Sequence, residues 1–316
     1  MRVFVRLALR RALVLPVMLM GVSLLVFVVL QFSPNDPAYN ALGVGASEEA
    51  RAAYAAEHGL DQPLLVRYVL FLGQLLQGDL GMTAPPAVPV ADRIVDSFPL
   101  TLELTMLGMA GAIVFALFMG LTGALWRDRW PDQVTRIVSI TCVALPPFWL
   151  AILLIQQFSL GLGLLPPGGY VAPGESIADW AASMTLPAIA VAVPIGAQLS
   201  RLVRTSMVEE LDRDYVRTAT GNGLPRWLVL RGALRNALIT PLTVLGWRFG
   251  YALGGAVVIE TIFDLPGMGQ LLLTGVTNGD VALVQGAVLT VSVALLVVNL
   301  VIDLLYVVVN PRIREV

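Results

Sequence analysis

The chain has no lysine, one cysteine and one histidine among its 316 residues. A phosphate-binding loop of the GxxxxGK[ST] type needs its lysine on the β and γ phosphates, so this chain by itself does not form a conventional ATPase site. Cys142 alone gives no internal disulfide and no thiolate cluster, and the lone His58 excludes the HExxH metalloprotease pattern. No GxSxG motif occurs either, so the sequence predicts neither a catalytic residue nor a metal site.

Charge is also scarce, because charged residues make up 13% of the chain and hydrophobic residues 57%. Soluble domains carry roughly a quarter charged residues. The composition predicts an all-α integral membrane protein, with residues 1–316 as a single transmembrane domain. Six runs are long enough to cross a hydrocarbon core about 30 Å thick. They are residues 12–30, 104–125, 137–165, 181–200, 236–259 and 281–302.

The arginines indicate the orientation of these six predicted spans, since positive charge accumulates on the cytoplasmic side of a membrane. Sixteen of the twenty lie in the N-terminal segment, the second-to-third loop, the fourth-to-fifth loop and the C-terminal tail. Both termini are therefore expected in the cytoplasm, together with a loop at about 201–238. A large segment at about 32–99 is expected on the extracytoplasmic side.

Two features of the outer segment and the spans leave alternatives open. Residues 47–58 predict a short polar helix, and residues 63–76 predict an apolar helix that lies along the membrane surface or packs over the span ends. Pro146 and Pro147 interrupt the third span, and Pro187 and Pro194 the fourth. Each proline removes a backbone donor, which gives either a plain kink or a break beside a transport pathway.

The loop at 201–238 is a polar island in an apolar chain. Residues 205–218 suit an extension of the fourth span, Gly221, Asn222 and Gly223 tolerate left-handed or extended backbone, and Pro225 suits a helix start. A second helix is predicted at 226–237. Two short helices at an angle form a knob that fits a groove in a partner protein; the alternative is a solvated loop.

Motifs along almost the whole chain resemble the permease subunits of bacterial dipeptide, oligopeptide and nickel ABC importers. The motifs are Gly59-Leu-Asp-Gln-Pro63, Gly78-Asp-Leu-Gly81, Thr101-Leu-Glu-Leu104, Leu165-Pro-Pro-Gly-Gly-Tyr170, Asp214-Tyr-Val-Arg-Thr-Ala219, Gly223-Leu224, Leu234-Arg-Asn-Ala-Leu-Ile239, Pro241, Gly254-Gly-Ala-Val-Val-Ile-Glu-Thr-Ile-Phe263, Pro266-Gly-Met-Gly269, Asn299, Asp303-Leu-Leu-Tyr306 and Asn310-Pro-Arg-Ile313.

This resemblance implies a type I ABC importer permease fold in the bacterial inner membrane. The chain would form half of a pathway for short peptides that works by alternating access, and it would not be an enzyme. The implied partners are a second homologous permease, two ATPases that carry the ATP and magnesium, an extracytoplasmic substrate-binding protein and membrane lipid, with no nucleic acid and no cofactor on this chain. Nickel chelates, glutathione or another small solute remain alternative substrates, and a self-contained secondary carrier is a further alternative.

In the family that this sequence resembles, the polar island is the EAA loop, whose helices dock into a cleft of the ATPase. Arg217, Thr218 and Ala219 stand where Glu-Ala-Ala would be, and only the last residue matches those letters. The residues expected to couple to the ATPase are Asp214, Tyr215, Arg217, Thr218, Ala219, Gly221, Gly223, Leu224 and Pro225.

Charged residues in the spans supply the candidates for a pathway. Arg248 lies near the middle of the fifth span, where a cation needs a partner or water. It either meets a peptide carboxylate or pairs with an acid of this chain or of a companion permease. Glu260 either gates the outer entry or caps the turn at Pro266. Glu103 is expected to reach the headgroups, and Asp303 to pair with a cytoplasmic arginine.

Overall fold

The computed structural model describes residues 2–31, 42–43, 45–57, 59, 61–84 and 86–309. His58, the motif that starts at Asn310, and the tail residues Arg312 and Arg314 lie outside the described residues, as does the side chain of Asp303. The chain divides into two compact units. One contains Met1–Thr101 and Pro266–Val297, and the other contains Leu102–Leu265 and Val298–Val316.

Helices dominate both units, and among the described residues the only extended pairing is an isolated bridge between Met82 and Pro89. The helices with described bounds are α1 Arg2–Gln31, α2 Glu48–Glu57, α3 Leu64–Leu76, α4 Val90–Leu125, α5 Trp130–Ala144, α6 Pro147–Leu154, α7 Ile177–Leu211, α8 Asp214–Gly221, α9 Arg226–Ala237, α10 Ile239–Ile262, α11 Met268–Asn278 and α12 Val281–Val309. A π-helix, Ile155–Gly161, continues α6.

Four helices in the described part are long and apolar enough to cross a membrane: α4, α7, α10 and the Val281–Val301 part of α12. A fifth candidate is the bent pair Trp130–Ala144 and Pro147–Gly161. The predicted first span falls in α1, where the described apolar stretch is the shorter Pro16–Leu30. An all-helical membrane protein is confirmed with four to five candidate spans, and the sixth span stays a prediction.

The chain breaks at Pro146 and Pro147, so of the two alternatives the structure favours a break over a plain kink there. The axes of the two helices on either side differ by 104°. Leu145 and Pro146 both adopt extended backbone, with ψ of 123° and 137°. A residue that precedes a proline is pushed out of the helical region, and two prolines in a row enforce this twice. Pro187 and Pro194, by contrast, lie inside the continuous helix α7.

Helix α7 forms the centre of the unit Leu102–Leu265, and it packs against α5, α6, α9 and α10. Its backbone also comes very close to that of α4. A Cβ added at Gly120 would lie 2.7 Å from the carbonyl oxygen of Ser200, and one at Gly196 would lie 2.9 Å from that of Ala112. Small residues that let backbones approach are the usual basis of helix association in lipid.

The other unit has its own core, in which Val90, Ile94, Met268, Leu283 and Ala287 are buried together. These residues bring the first turns of α4 against α11 and the start of α12. A buried hydrogen bond of 2.8 Å from the Met268 amide to Thr101 Oγ1 holds the start of α11.

Helix α3 packs on α1 in this same unit. The Tyr68 hydroxyl lies 2.9 Å from Ser23 Oγ, and the Tyr68 and Phe27 ring centroids are 5.3 Å apart. The structure therefore favours the packing alternative for the apolar helix predicted at 63–76. The short polar helix predicted at 47–58 is also present, as α2.

The close contact between α4 and α7 can be tested with Gly120→Ala. Because the new methyl group meets backbone at 2.7 Å, we expect a loss of about 1–3 kcal/mol of unfolding free energy, as is usual for overpacking. The measurement is the thermal unfolding midpoint of the purified chain in detergent.

Gly254→Ala in α10 is the matched control, since a Cβ there meets nothing within 4 Å. It should raise stability by about 0.5–1 kcal/mol, because alanine restricts the unfolded chain more than glycine does. Equal shifts of the midpoint in the two variants would contradict the close contact.

Candidate functional site

The polar island forms a two-helix segment, residues 212–238, between α7 and α10. Helix α7 ends at Leu211, and Arg213 adopts extended backbone with ψ 147° before α8 begins at Asp214. The predicted continuous extension over 205–218 is therefore wrong in its second half. Asp214 lies in the first turn of α8, where an acidic side chain stabilises a new helix start. The second predicted helix is confirmed, since α9 has the bounds Arg226–Ala237.

The turn between α8 and α9 is a Schellman motif. The Leu224 amide donates to the Ala219 carbonyl at 3.2 Å, and the Gly223 amide donates to the Thr220 carbonyl at 3.1 Å. Gly223 has φ +77°, a conformation that glycine adopts without strain. Of the three residues predicted to supply unusual backbone, only Gly223 does so, because Gly221 is the last helical residue and Asn222 has φ −79°.

The apolar sides of both short helices are anchored on the helix ends beneath them. Val216 of α8 and Ala233 and Ala237 of α9 are buried with Ala124 of α4 and Met207 of α7. The two-helix segment is therefore a packed element. The alternative of a solvated loop does not describe it.

The residues predicted to contact an ATPase lie on the outer side of this segment. Asp214, Tyr215, Arg217, Thr218, Gly221, Gly223, Leu224 and Pro225 are exposed, and Ala219 is half-buried. Sequence reasoning missed Trp227, whose side chain is 61% exposed beside the exposed Leu224. A tryptophan within a polar loop was the signal that would have identified it, because aromatic residues are enriched in protein interfaces.

Tyr215 fastens the segment to α7. Its hydroxyl donates to Glu210 Oε2 at 2.7 Å and accepts from Asn236 Nδ2 at 3.2 Å. Burial, with a contribution from the Glu210 hydrogen bond, raises the pKa of Tyr215 above its ordinary value. The phenol is therefore neutral at physiological pH and links α7, α8 and α9 by hydrogen bonds.

The two pathway candidates lie in α10, and the structure does not bring them together. Arg248 is half-buried midway along the helix and forms no ion pair with any acidic residue of the described part. Glu260 is fully buried close to the end of the helix. At 1.5 Å per residue, the two positions are separated by about 18 Å along the helix axis.

Glu103 does not reach outward as expected, because its carboxylate is held within the protein. It accepts hydrogen bonds from the Tyr170 hydroxyl at 3.1 Å and from Trp180 Nε1. Tyr170 ends the Leu165-Pro-Pro-Gly-Gly-Tyr170 motif, and the preceding Gly169 amide donates to the Phe263 carbonyl at 2.8 Å. This loop thus joins α4 to the ends of α7 and α10. Burial and the Glu103 carboxylate raise the pKa of Tyr170.

Within the described part, no group of three or more His, Cys, Asp or Glu side chains is arranged to hold a metal ion. The two-helix segment has an anchored base, and its outer side presents exposed apolar and arginine side chains.

Comparison with known protein families gives two adjoining matches. A family described as "Binding-protein-dependent transport system inner membrane component" matches residues 112–315, and one described as the N-terminal part of such membrane components matches residues 4–105.

Known proteins with similar sequences carry the name "Glutathione transport system permease protein GsiC". The one from Escherichia coli O6:H1 is 38% identical over 294 residues, which cover 93% of this chain and 94% of the relative. The one from Salmonella choleraesuis is 38% identical over 307 residues, which cover 97% and 98%.

A solved structure titled "Crystal structure of an amino acid ABC transporter with histidines" has a similar fold. It aligns with a TM-score of 0.51 at 16% identity and covers 70% of this chain and 94% of its own chain. At this identity the likeness concerns the fold alone.

The raised pKa of Tyr170 gives a pH-dependent prediction. Since the folded state favours the protonated phenol, the contribution to stability is complete below the pKa of an unfolded tyrosine and is lost as pH rises through the raised value. We expect Glu103→Gln to lower the pKa of Tyr170 only part of the way, because burial is the larger cause. The measurement is a tyrosinate absorbance titration, with Tyr170→Phe subtracted.

Glu175→Gln is the control for that titration, since Glu175 acts on Tyr170 only through a smaller, longer-range charge effect. It should lower the pKa less than Glu103→Gln does. A Tyr170 titration that is the same in Glu103→Gln as in the native chain would show that the carboxylate does not act on the phenol.

Proposed function

The chain belongs to the family of binding-protein-dependent transport system inner membrane components, as a permease subunit of an ABC importer of the peptide and nickel group, and from this premise we propose that it forms half of a pathway for short peptides. The family places it in the bacterial inner membrane and implies an ATPase and a substrate-binding protein as partners. The further parts of the proposal are a second homologous permease, two ATPases that carry ATP and magnesium, six spans and cytoplasmic termini.

The proposed transport mechanism is alternating access, driven through the two-helix segment. ATP binding closes the ATPases, and that motion displaces α8 and α9 and the helix ends on which they are seated. The observation that carries this assignment is the geometry of the segment. Its apolar side is buried at Val216, Ala233 and Ala237, while its outer side exposes Leu224 and Trp227.

For the substrate we propose short peptides, with glutathione, itself a modified tripeptide, as the first solute to test. Support comes from the names of relatives that are 38% identical along nearly the whole chain. Arg248 adds a physical reason, because a half-buried cation in a membrane helix needs an anionic or water-filled surrounding. Peptides and glutathione both bring carboxylates to such a position. A companion permease with an acid at this depth is the alternative partner for Arg248.

The ATPase contact is tested with Gly223→Pro. Proline fixes φ near −65° and lacks the amide hydrogen, whereas Gly223 has φ +77° and donates to the Thr220 carbonyl. We therefore expect the turn to open and the ATPase to be lost when the tagged permease is purified from cells that also express its neighbouring genes. The amount of ATPase recovered per permease is the measurement.

Gly221→Ala serves as the matched control, because Gly221 is helical and a Cβ there meets nothing within 4 Å. This variant should retain the ATPase. A native chain that recovers no ATPase would refute the importer mechanism, and a Gly223→Pro chain that still binds it would show that the turn is not needed for docking.

The substrate proposal is tested with Arg248→Gln in proteoliposomes that contain the whole transporter. If the guanidinium meets a substrate carboxylate, uptake of a free peptide should fall about tenfold, the equivalent of one charge-assisted hydrogen bond. Uptake of the same peptide with an amidated carboxyl end should be low in the native protein and unchanged by the substitution.

Two variants control this test. Arg248→Lys keeps the charge and should retain most uptake, and Arg129→Gln removes an exposed arginine outside α10 and should have no effect. Equal losses for the free and amidated peptides in Arg248→Gln would rule out the carboxylate contact and favour a pair with the companion permease.

A further inference from the structure

A buried ion pair joins the ends of α5 and α7 directly beneath the two-helix segment. Arg204 Nε donates to Asp132 Oδ1 at 2.6 Å, and Arg204 Nη2 donates to Asp132 Oδ2 at 2.7 Å. The Asp128 amide also donates to Oδ2 at 3.0 Å. The Asp132 side chain has 0% exposure, and that of Arg204 has 20%. Paired bonds of this kind fix the distance and the orientation of the two helices they join.

The end of α4 packs against the same ion pair. A Cβ added at Gly123 would lie 2.9 Å from Thr135 Oγ1, 3.1 Å from Arg204 Cδ and 3.3 Å from Asp132 Oδ1. A methyl group at this position would crowd Thr135 and press against both members of the pair. Asp132, Arg204 and Gly123 thus form one joint, called here the helix-end joint, in which the ends of α4, α5 and α7 meet.

The two-helix segment rests on two of these three helix ends. Its buried residues pack on Ala124, one residue after Gly123, and on Met207, one turn after Arg204. A second, exposed ion pair of 2.8 Å between Arg127 and Asp212 links the α4–α5 loop to the start of the segment. Exposed pairs of this kind contribute little, so the buried joint is the main ionic link between the segment and α5, in addition to the packing of α5 on α7.

We propose that Asp132 and Arg204 are positioning residues for ATP-driven transport, which hold the ends of α4, α5 and α7 as one body so that a displacement of the two-helix segment moves all three helices together. Without the joint, α8 and α9 would move with α7 while α5 lagged behind. This inference rests on the proposed contact between the two-helix segment and the ATPase.

The test measures a distance across the joint in the assembled transporter. Spin labels are placed at Gln133→Cys on α5 and Arg235→Cys on α9, two exposed positions, in a Cys142→Ser background. In the otherwise native protein the joint keeps α9 fixed to α5, so the distance between the labels should be the same without nucleotide and with bound ATP. In Asp132→Asn the distance should change or broaden when ATP binds.

Transport by unlabelled protein gives the second readout. In Asp132→Asn the solute imported per ATP hydrolysed should fall about tenfold, while ATPase recovery and ATP hydrolysis persist. A residue that served stability alone would lower import and hydrolysis in parallel. Asp128→Asn is the matched control, because the Asp128 side chain is exposed and only its backbone amide contacts the joint; it should leave the ratio unchanged.

Gly123→Ala is a second variant that keeps every charge and disturbs the joint sterically. It should lower the same ratio, and it decides the test if Asp132→Asn does not assemble. The inference is overturned if the distance between the labels in the otherwise native protein changes when ATP binds. It is also overturned if the solute imported per ATP hydrolysed is unchanged in the variant that assembles, or if neither variant assembles. If the native chain binds no ATPase at all, the proposed function fails first, and that outcome is separate from the others.

Discussion

The close approach of α4 and α7 is the contact on which the unit Leu102–Leu265 depends. Lipid tails are as apolar as leucine side chains, so burial of apolar surface gives little drive for helices to associate in a membrane. Van der Waals contact must supply it, and contact requires that the backbones come near. Glycines on α4 permit this, because a Cβ at Gly108 would lie 2.5 Å from Val191 and one at Gly120 only 2.7 Å from the Ser200 carbonyl.

Polar contacts then hold neighbouring helices in position around α7. The hydroxyls of Ser139 and Ser200 meet at 2.9 Å in the interior, and the Asp132–Arg204 pair lies near the start of α5. Glu103, in the first half of α4, accepts hydrogen bonds from Tyr170 and Trp180. Such contacts fix how the closely packed helices are oriented, because each hydrogen bond or ion pair forms in only one arrangement of the helices that it joins.

Sequence alone predicted those elements whose signals are local. The bounds of α2, α3 and α9 follow from caps, prolines and apolar spacing within the segment itself, and the spans follow from uncharged runs. The 104° break at Pro146 and Pro147 was less accessible, because Pro187 and Pro194 carry the same backbone defect inside an unbroken helix. Pro146 and Pro147 differ in being adjacent, so two successive residues leave the helical region, whereas Pro187 and Pro194 are isolated from each other.

The same distinction applies to the candidate site. The composition of the loop, its glycine and its proline predicted two short helices and an outward surface, and all of these are present. The end of α7 at Leu211 and the partners of Glu103 were not predictable, because they arise from side chains that meet only in the fold. Tyr215 illustrates this, since its hydroxyl joins Glu210 and Asn236 across 26 residues of sequence.

The basic residues of this chain are all arginines, and the helix-end joint uses a property that lysine lacks. Asp132 receives two nitrogens of one planar guanidinium, a geometry that an ammonium group does not reproduce. Arginine also keeps its proton under all conditions that proteins meet. Arg248 is a second arginine in a sparsely charged region, half-buried midway along α10. A cation at that depth needs an anion or water beside it, and this requirement is the physical ground for the proposal that Arg248 meets either a substrate carboxylate or an acid of a companion permease.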